Sequence, residues 1–345
     1  MYMARVTSLV ADLREYAALL RIAEYAASDR NHKSIAYERA ANSIESQYSH
    51  GVITGQLRER LLALQKTEHV GEATMKLVKQ WLERGKIAEL EKLRKSKVGR
   101  AYRELAPLLG VGPATIAKWM MKGVTTREEL KSAVKRGRVE LTNAQRLGLK
   151  YFKDLHTRIP RAETRKIALV VGKRVLSPSQ SCKDTVQSCK DTVRLFIAGS
   201  YRRGAETSGD IDLLLMCNEE LAIESMRAVE SIEKDKRFMG WILRGASRLS
   251  FLYKCAAVRQ VDVLHVLPAN LGASLLYFTG SGAFNVAMRS YARSKGLLLN
   301  QHGLFENTTP PKRLAASSER ELFALVGIKY REPAQRNGPA DVVPI

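Results

Sequence analysis

The chain has 345 residues, 45% of them hydrophobic, enough for roughly two domains that each bury a core. Its 57 Lys and Arg outnumber 35 Asp and Glu for a formal net charge of +22, which favours polyphosphates or anionic surfaces as partners and by itself names no activity. No run of about eighteen apolar residues occurs, so no membrane partner is expected, and Cys182, Cys189, Cys217 and Cys255 form no CxxC pair, which reads as reduced thiols of an intracellular protein rather than a zinc site.

The N-terminal stretch carries Arg5, Arg14 and Arg21 but also Asp12, Glu15 and Glu24. Transit peptides avoid acids, so an ordinary first helix is predicted, with a mitochondrial address as the alternative. Its apolar residues Leu13, Tyr16, Ala17, Leu20 and Ala23 or Tyr25 recur near the helical period. Further helical runs are predicted over 35–47, 57–64, 73–84 and 87–95, separated by His50-Gly51, Val70-Gly71 and Gly85. The basic stretch "KLRKSKVGRAYR" (92–103) reads as a solvated hinge that could lie near phosphates. "LAPLLGVGPATIAKWMMKG" (105–123) reads as an apolar helix, a tight turn at Gly110-Val111-Gly112, and an amphipathic helix opening on Pro113. Backbone N–H groups at such a helix start can hold a phosphate without regard to sequence. A helical run over 142–160 follows, ending at Pro160.

"QSCKDTV" occurs twice in tandem, at 180–186 and 187–193, too short for a solenoid unit, and is read as a duplicated surface connector. After residue 194 the pattern changes to short strands: "RLFIAGS", "DIDLLLM", "SRLSFLYKC" and "RQVDVLHVLP", with a helix at "ESMRAVESIEKD". Side chains at i and i+2 of a strand share a face, so Asp210 and Asp212 point the same way, and Asp262 lies on another strand. Three carboxylates converging on one face repel each other unless a cation stands among them. Hard oxygen ligands suit Mg²⁺, which takes a few carboxylates plus substrate phosphates. Two such ions about 3.5–4 Å apart can activate an attacking hydroxyl and stabilise a leaving pyrophosphate. Gly199-Ser200, Arg203 and Ser208-Gly209 supply N–H, hydroxyl and guanidinium donors for the triphosphate beside them.

These residues resemble a known family. "GSYRRGAETSGDIDLLL" (199–215) is similar to the palm motif of the family X DNA polymerases. "LGVGPATIAKW" resembles the family's helix–hairpin–helix, "RLGLKYFKDLHTRIPR" its next helix, "LLYFTGSGAFNVAMRSYARSKGLLLN" its nucleotide-binding subdomain, "KYREP" its C-terminal end and "HKSIAYERAANSI" its lyase domain. No BRCT-like segment precedes the lyase-like stretch, which favours the beta branch. The resemblance implies an α+β multidomain fold with four parts: an all-helical lyase-like domain (1–95), a helical DNA-binding subdomain with a helix–hairpin–helix (96–158), a mixed-sheet nucleotidyltransferase palm (159–268) and a small α/β nucleotide-binding subdomain (269–345).

It further implies a template-directed polymerase that fills short gaps in base excision repair, adding a deoxynucleotide to a primer 3′-OH. Asp210 and Asp212 would bind both Mg²⁺ ions, for which Mn²⁺ can substitute. Asp262 would bind the catalytic metal and help deprotonate the 3′-OH. Arg158, Gly199, Ser200, Arg203, Ser208 and Gly209 fall on triphosphate-binding positions. Tyr277, Phe278 and Gly280 fall on sugar contacts, and Asn285 on a nucleotide contact. Arg289 falls on a template contact, with core packing as the other reading of Tyr277 and Phe278. Ala106, Leu108 and Val111 match carbonyls that hold Na⁺ or K⁺ beside a DNA phosphate, with Gly110 and Gly112 in the same DNA-binding hairpin. His32, Lys33, Tyr37 and Arg39 match a 5′-phosphate site.

The pattern departs from the family at named places. Leu77 stands where the lyase's Schiff-base lysine is placed, and Lys76 and Lys79 flank it as candidate amines. Ala73 and Glu89 replace two other pocket lysines. "EHVGEA" keeps one glycine of a first hairpin, Gln260 replaces an arginine beside the third carboxylate, and Gly282 and Val286 replace polar residues. The expected partners are gapped or nicked double-stranded DNA and a dNTP. The expected state is a monomer and the expected compartment the nucleus, with the mitochondrion as alternative. Two competing readings are a template-independent nucleotidyltransferase on the same palm and a non-catalytic basic nucleic-acid binder.

Overall fold

The computed structural model describes residues 2–27, 33–49, 69–175, 185–187 and 193–345. The helix predicted over 57–64, His32, Cys182, Cys189 and most of the QSCKDTV duplication lie outside the described residues. The chain divides into two compact units, Met1–Leu149 and Lys150–Ile345.

The first unit is helical. Helices Tyr2–Ala26 and Lys33–Ser49 pack on Glu72–Arg84 and Ala88–Lys95 around a core that includes Leu9, Leu13, Leu19, Ile44, Val78 and Leu90. Among its polar ties, Arg94 donates to Asp12 at 2.8 Å, Glu15 at 2.6 Å and Glu91 at 2.6 Å, and Trp81 Nε1 donates to Asp12 at 2.9 Å. The stretch expected as a hinge is instead two helices, Ala88–Lys95 and Lys97–Leu105, meeting at Ser96. Lys and Arg are good helix formers whatever their charge, and Ala101 and Leu105 are fully buried. The Ser96 hydroxyl donates to the Leu93 carbonyl at 2.7 Å and accepts from the Gly99 N–H at 3.4 Å, which caps the second helix. A Cβ at Gly99 would lie 2.6 Å from the Arg94 carbonyl carbon, so a glycine lets the two helices join this closely.

The apolar helix expected from Leu105 is also corrected: the helix stops there, and residues 106–110 turn. Gly110 takes φ +66°, whereas Gly112 is extended at φ −116°, so the hairpin uses glycine's conformational freedom once. Pro113 opens helix Pro113–Met121. Thr126 and Glu129 form a capping box for Arg127–Lys135, and Gln145 Nε2 donates to the Gly110 carbonyl at 3.0 Å, locking the hairpin to helix Asn143–Lys150. The expected run over 142–160 breaks at Tyr151, which separates that helix from Phe152–Leu155.

The second unit is built on strands. In chain order these are β1 (Ile159–Pro160), β2 (Thr185–Gln187), β3 (Arg194–Ile197), β4 (Thr207–Ser208), β5 (Ile211–Met216) and β6 (Phe238–Arg244), then β7 (Arg248–Lys254), β8 (Val258–Val266), β9 (Leu297–Asn300), β10 (Gly303–Glu306) and β11 (Lys312–Leu314). The main sheet has the order β2-β3-β5-β8-β7-β6, with β5 and β8 parallel and the other pairs antiparallel. Strand alternation decides its two faces. Ile211, Leu213 and Leu215 of β5 pack with Val261 and Val263 of β8 against Ile167, Ala168 and Val171 of helix Arg161–Val175 and Met226 and Val229 of helix Glu219–Glu230. Asp212 and Leu214 therefore face the other side. There Leu214, Val266 and Ala198 are covered by Leu275 and Phe278 of helix Leu271–Thr279, while the Asp212 end of the strand is left uncovered by this cluster.

A third core, with Leu276, Phe284, Met288, Leu322 and Phe323, joins helices Leu271–Thr279, Gly282–Ser294 and Glu319–Val326 to the sheet β11-β10-β9. Glu319, 7% exposed, accepts from Arg202 at 2.6 and 3.0 Å and from the fully buried Arg336 at 2.5 Å. A buried ion triad of this kind fixes the geometry of the groups it joins; here these are the Gly199–Arg202 turn and the C-terminal helices.

Candidate metal centre

Two neighbouring strands build the site. The parallel register pairs Asp212 of β5 directly with Asp262 of β8, and Asp210 sits immediately before β5 on the same side as Asp212. One carboxylate oxygen from each of the three lies within 4.8 Å of the others. Burial comes first, and mutual repulsion second, in pushing the Asp210 and Asp212 carboxyls upward. The Asp212 carboxyl is raised to about 7 by burial, then by Asp210 and Asp262, against the pull of Arg248 and Arg203. Asp210 is raised by burial and then by Asp262. Three carboxylates this close repel one another, and a divalent cation with hard oxygen preferences fits that donor set.

The turn before β5 closes on the acids. Gly199 has φ +58°, and an added Cβ there would run into the Asp212 carboxylate, with its Cγ at 3.4 Å. Glycine is required on both counts. The Ala198 N–H donates to the Asp212 carbonyl at 2.9 Å, tying the turn to the strand. The Ser200 hydroxyl donates to that of Ser208 at 3.0 Å, so two hydroxyls expected near the triphosphate are together. Arg158 donates to the Thr207 carbonyl at 2.6 Å and its hydroxyl at 3.2 Å, beside Ser208 and Gly209. Arg203 donates to the Thr279 carbonyl, next to Gly280, and burial pulls its guanidinium below the usual arginine range.

Tyr277 and Phe278 stack edge-on at 5.0 Å. Phe278, partly buried, packs on the cluster of Ala198, Leu214 and Val266 on the Asp212 face of the main sheet. The Tyr277 carbonyl accepts from Asn285 Nδ2 at 2.5 Å, and Arg289 stands 5.6 Å from the Tyr277 ring centre while donating to the Asn285 carbonyl at 3.2 Å. Tyr277, Asn285 and Arg289 are thus one cluster. Sequence reading missed three groups. Arg248 Nη2 lies 3.4 Å from Asp262 Oδ1, and the Ser250 hydroxyl, directly opposite Asp262 in the β7–β8 register, is buried with no hydrogen-bond partner. Glu319 anchors the turn. Only the strand register could have revealed the first two.

In the first unit, Leu108 accepts from the Val111 N–H at 3.2 Å and, with Ala106, frames the turn where the monovalent cation was expected. Lys33 and Arg39 are exposed on helix Lys33–Ser49. Tyr37 sits edge-on to Tyr16 at 5.2 Å, and the Tyr16 hydroxyl is pushed up to about 12 by burial, then by Tyr37 and Glu89. Leu77 is buried in the helical core, whereas Lys76 and Lys79 lie on the exposed face of helix Glu72–Arg84. One Glu89 carboxylate oxygen is buried without a hydrogen-bond partner. The sequence departures at Leu77 and Glu89 therefore sit on the inner side of this unit, and the two flanking lysines do not.

Carboxylates paired across parallel strands, with a glycine–serine turn pressed against them, define a divalent-metal centre suited to phosphates. Comparison with known proteins agrees. The model "DNA polymerase beta palm" matches residues 158–244, "DNA polymerase beta thumb" residues 274–337, and "Fingers domain of DNA polymerase lambda" residues 103–156. DNA polymerase lambda of Arabidopsis thaliana is 26% identical over 91% of this chain and 59% of its own length. DNA polymerase lambda of Rattus norvegicus is 26% identical over 78% of this chain and 47% of its own length. The DNA-directed DNA/RNA polymerase mu of Homo sapiens is 25% identical over 80% of this chain and 60% of its own length. The chain spans between 47% and 60% of the length of these relatives. It belongs to the family X DNA polymerases.

Proposed function

We propose that the chain is a template-directed DNA polymerase that fills short gaps, transferring dNMP from a dNTP to a primer 3′-OH in base excision repair. The observation that carries this is the register Asp212↔Asp262, which brings three carboxylates together beside the Gly199-Ser200 turn. Asp210 and Asp212 would hold two Mg²⁺ ions, or Mn²⁺ in their place, and Asp262 the catalytic one. When bound, the ions lower the pKa of the attacking hydroxyl and neutralise charge on the leaving pyrophosphate.

The chain's own groups do the rest. Asp262, 3% exposed, would accept the 3′-OH proton. The Ser200 and Ser208 hydroxyls, Arg158 and Arg203 donate to phosphate oxygens, and because they are anchored beforehand they need little reorganisation at the moment of reaction. The cluster Tyr277–Asn285–Arg289 meets the sugar and the duplex, and the glycine-turned hairpin around Gly110, with a Na⁺ or K⁺ at its carbonyls, meets a DNA phosphate. A DNA substrate supports the nucleus as the compartment, with the mitochondrion as the alternative. Among the described residues no helix is long and apolar enough to cross a membrane.

The test is extension of a primer across a one-nucleotide gap with Mg²⁺. Wild-type chain should extend it, and Asp262→Ala should lose roughly a thousandfold or more, the equivalent of several kcal/mol of transition-state stabilisation. Normal incorporation by that variant, or equal activity on single strands without template, would remove the assignment.

A further inference from the structure

Asp262 is held from two sides by side chains of its own sheet. Gln260, two residues earlier on β8, donates Nε2 to Oδ2 at 2.9 Å, and Arg248 on β7 points Nη2 at Oδ1 from 3.4 Å. The reach of Arg248 follows from register: Ser250 pairs with Asp262, and Arg248 lies two residues before Ser250, on the same face and diagonal to the acid. The partners are unequal in freedom, since the Asp262 side chain is 4% exposed and that of Arg248 52%. The other cation close to Asp212, Arg203, is anchored on the Thr279 carbonyl. At position 260, where the family resemblance places an arginine, this chain has a neutral glutamine. The guanidinium beside the third carboxylate therefore comes from the neighbouring strand.

We propose that Arg248 is an exchangeable internal counter-ion of the carboxylate trio: it occupies Asp262 Oδ1 when no divalent cation is bound, must release that oxygen when one binds, and so sets the metal affinity of the site. Arg248 is in these terms a positioning residue, and the proposal rests on the metal-centre reading above. A carboxylate oxygen facing both a guanidinium and a divalent cation is contested by them. Gln260 keeps Oδ2 oriented whichever holds Oδ1. A half-exposed guanidinium is a weak competitor, so removing it shifts cation affinity by about fivefold at most, and salt screens the effect.

The test measures Mn²⁺ binding to the full chain without DNA, from the electron paramagnetic resonance signal of free Mn²⁺, at about 20 mM and about 500 mM salt. Arg248→Ala should bind Mn²⁺ about fivefold more tightly than wild type at low salt, with the gain shrinking at high salt. Arg248→Lys, which keeps a cation there, should stay near wild type. Half-saturating Mg²⁺ for gap filling should fall in the Ala variant in parallel. Matched thermal melts establish that the variants are folded. Unchanged or weaker Mn²⁺ binding by a folded Arg248→Ala chain would overturn the proposal, as would a Lys variant that behaves like Ala. A wild-type chain that binds no Mn²⁺ would overturn the metal centre as well, which is a different result from equal binding by two competent chains.

Discussion

Replacing Gly199 by alanine tests how tightly the turn is fitted to the metal ligands. Two effects add. The backbone there has φ +58°, where an L-residue other than glycine costs about 1–2 kcal/mol. The new Cβ would also press on the Asp212 carboxylate, whose Cγ and Cβ would lie at 3.4 and 3.6 Å from it. The acid cannot retreat as a whole, because its backbone is paired with Asp262 on β8 and its carbonyl accepts the Ala198 N–H at 2.9 Å. The strain therefore falls on the Asp212 side chain, which must rotate by about 1 Å, and misplacement on that scale lowers catalysis by about a hundredfold. Single-nucleotide gap filling at saturating Mg²⁺ and dNTP should show that loss in kcat. Melting should show a drop of only a few degrees, as expected for about 1–2 kcal/mol in a unit of this size. An alanine variant with wild-type kcat and Tm would refute the fit argued for this turn.

Asp235 accepts from the Arg237 N–H at 3.0 Å, the Arg237 guanidinium at 3.1 Å, Arg174 at 3.2 Å and the Tyr253 hydroxyl at 2.9 Å, and Arg237 above all holds its carboxyl well below the usual range. With a depressed folded pKa, its stabilisation is complete above the unfolded value of about 4 and is lost as pH falls through the folded value. Asp235→Asn should therefore melt lower than wild type at neutral pH, by about 2 kcal/mol, and the gap should close in acid; a gap constant from pH about 2 to about 7 would refute this. Glu319→Gln leaves Arg202 and the buried Arg336 facing a neutral amide, and should cost about 3 kcal/mol in urea unfolding; a loss below about 1 kcal/mol would show the triad to be slack. Borohydride trapping on a 5′-deoxyribose-phosphate substrate should give no adduct, because Leu77 fills the inner position and Lys76 and Lys79 lie on the exposed face; an adduct abolished by Lys76→Ala or Lys79→Ala would overturn that expectation.

The sequence by itself determined what depends on local spacing. The period of two in "DIDLLLM" put Asp210 and Asp212 on one face and Ile211, Leu213 and Leu215 on the other, and β3, β5, β7, β8 and most helices stand where their apolar patterns placed them, whereas β6 and the sheet β9–β11 were not foreseen. Glycine at 199 and proline at 113 announced a turn and a helix start for steric reasons that need no partner. Charge alone misled at 92–103, since a basic composition says nothing about the apolar face that Ala101 and Leu105 bury. Tertiary structure decided the rest: that Asp262 pairs with Asp212, that Arg248 and Ser250 lie beside it, that Phe278 covers the sheet while Tyr277 joins Asn285 and Arg289, and that Glu319 reaches back to Arg202. Each of these joins residues far apart in the chain. Backbone geometry fixes on which side of its own strand or helix a residue projects, but which strand slides against which, and by how many residues, is settled only when all the apolar faces are buried together.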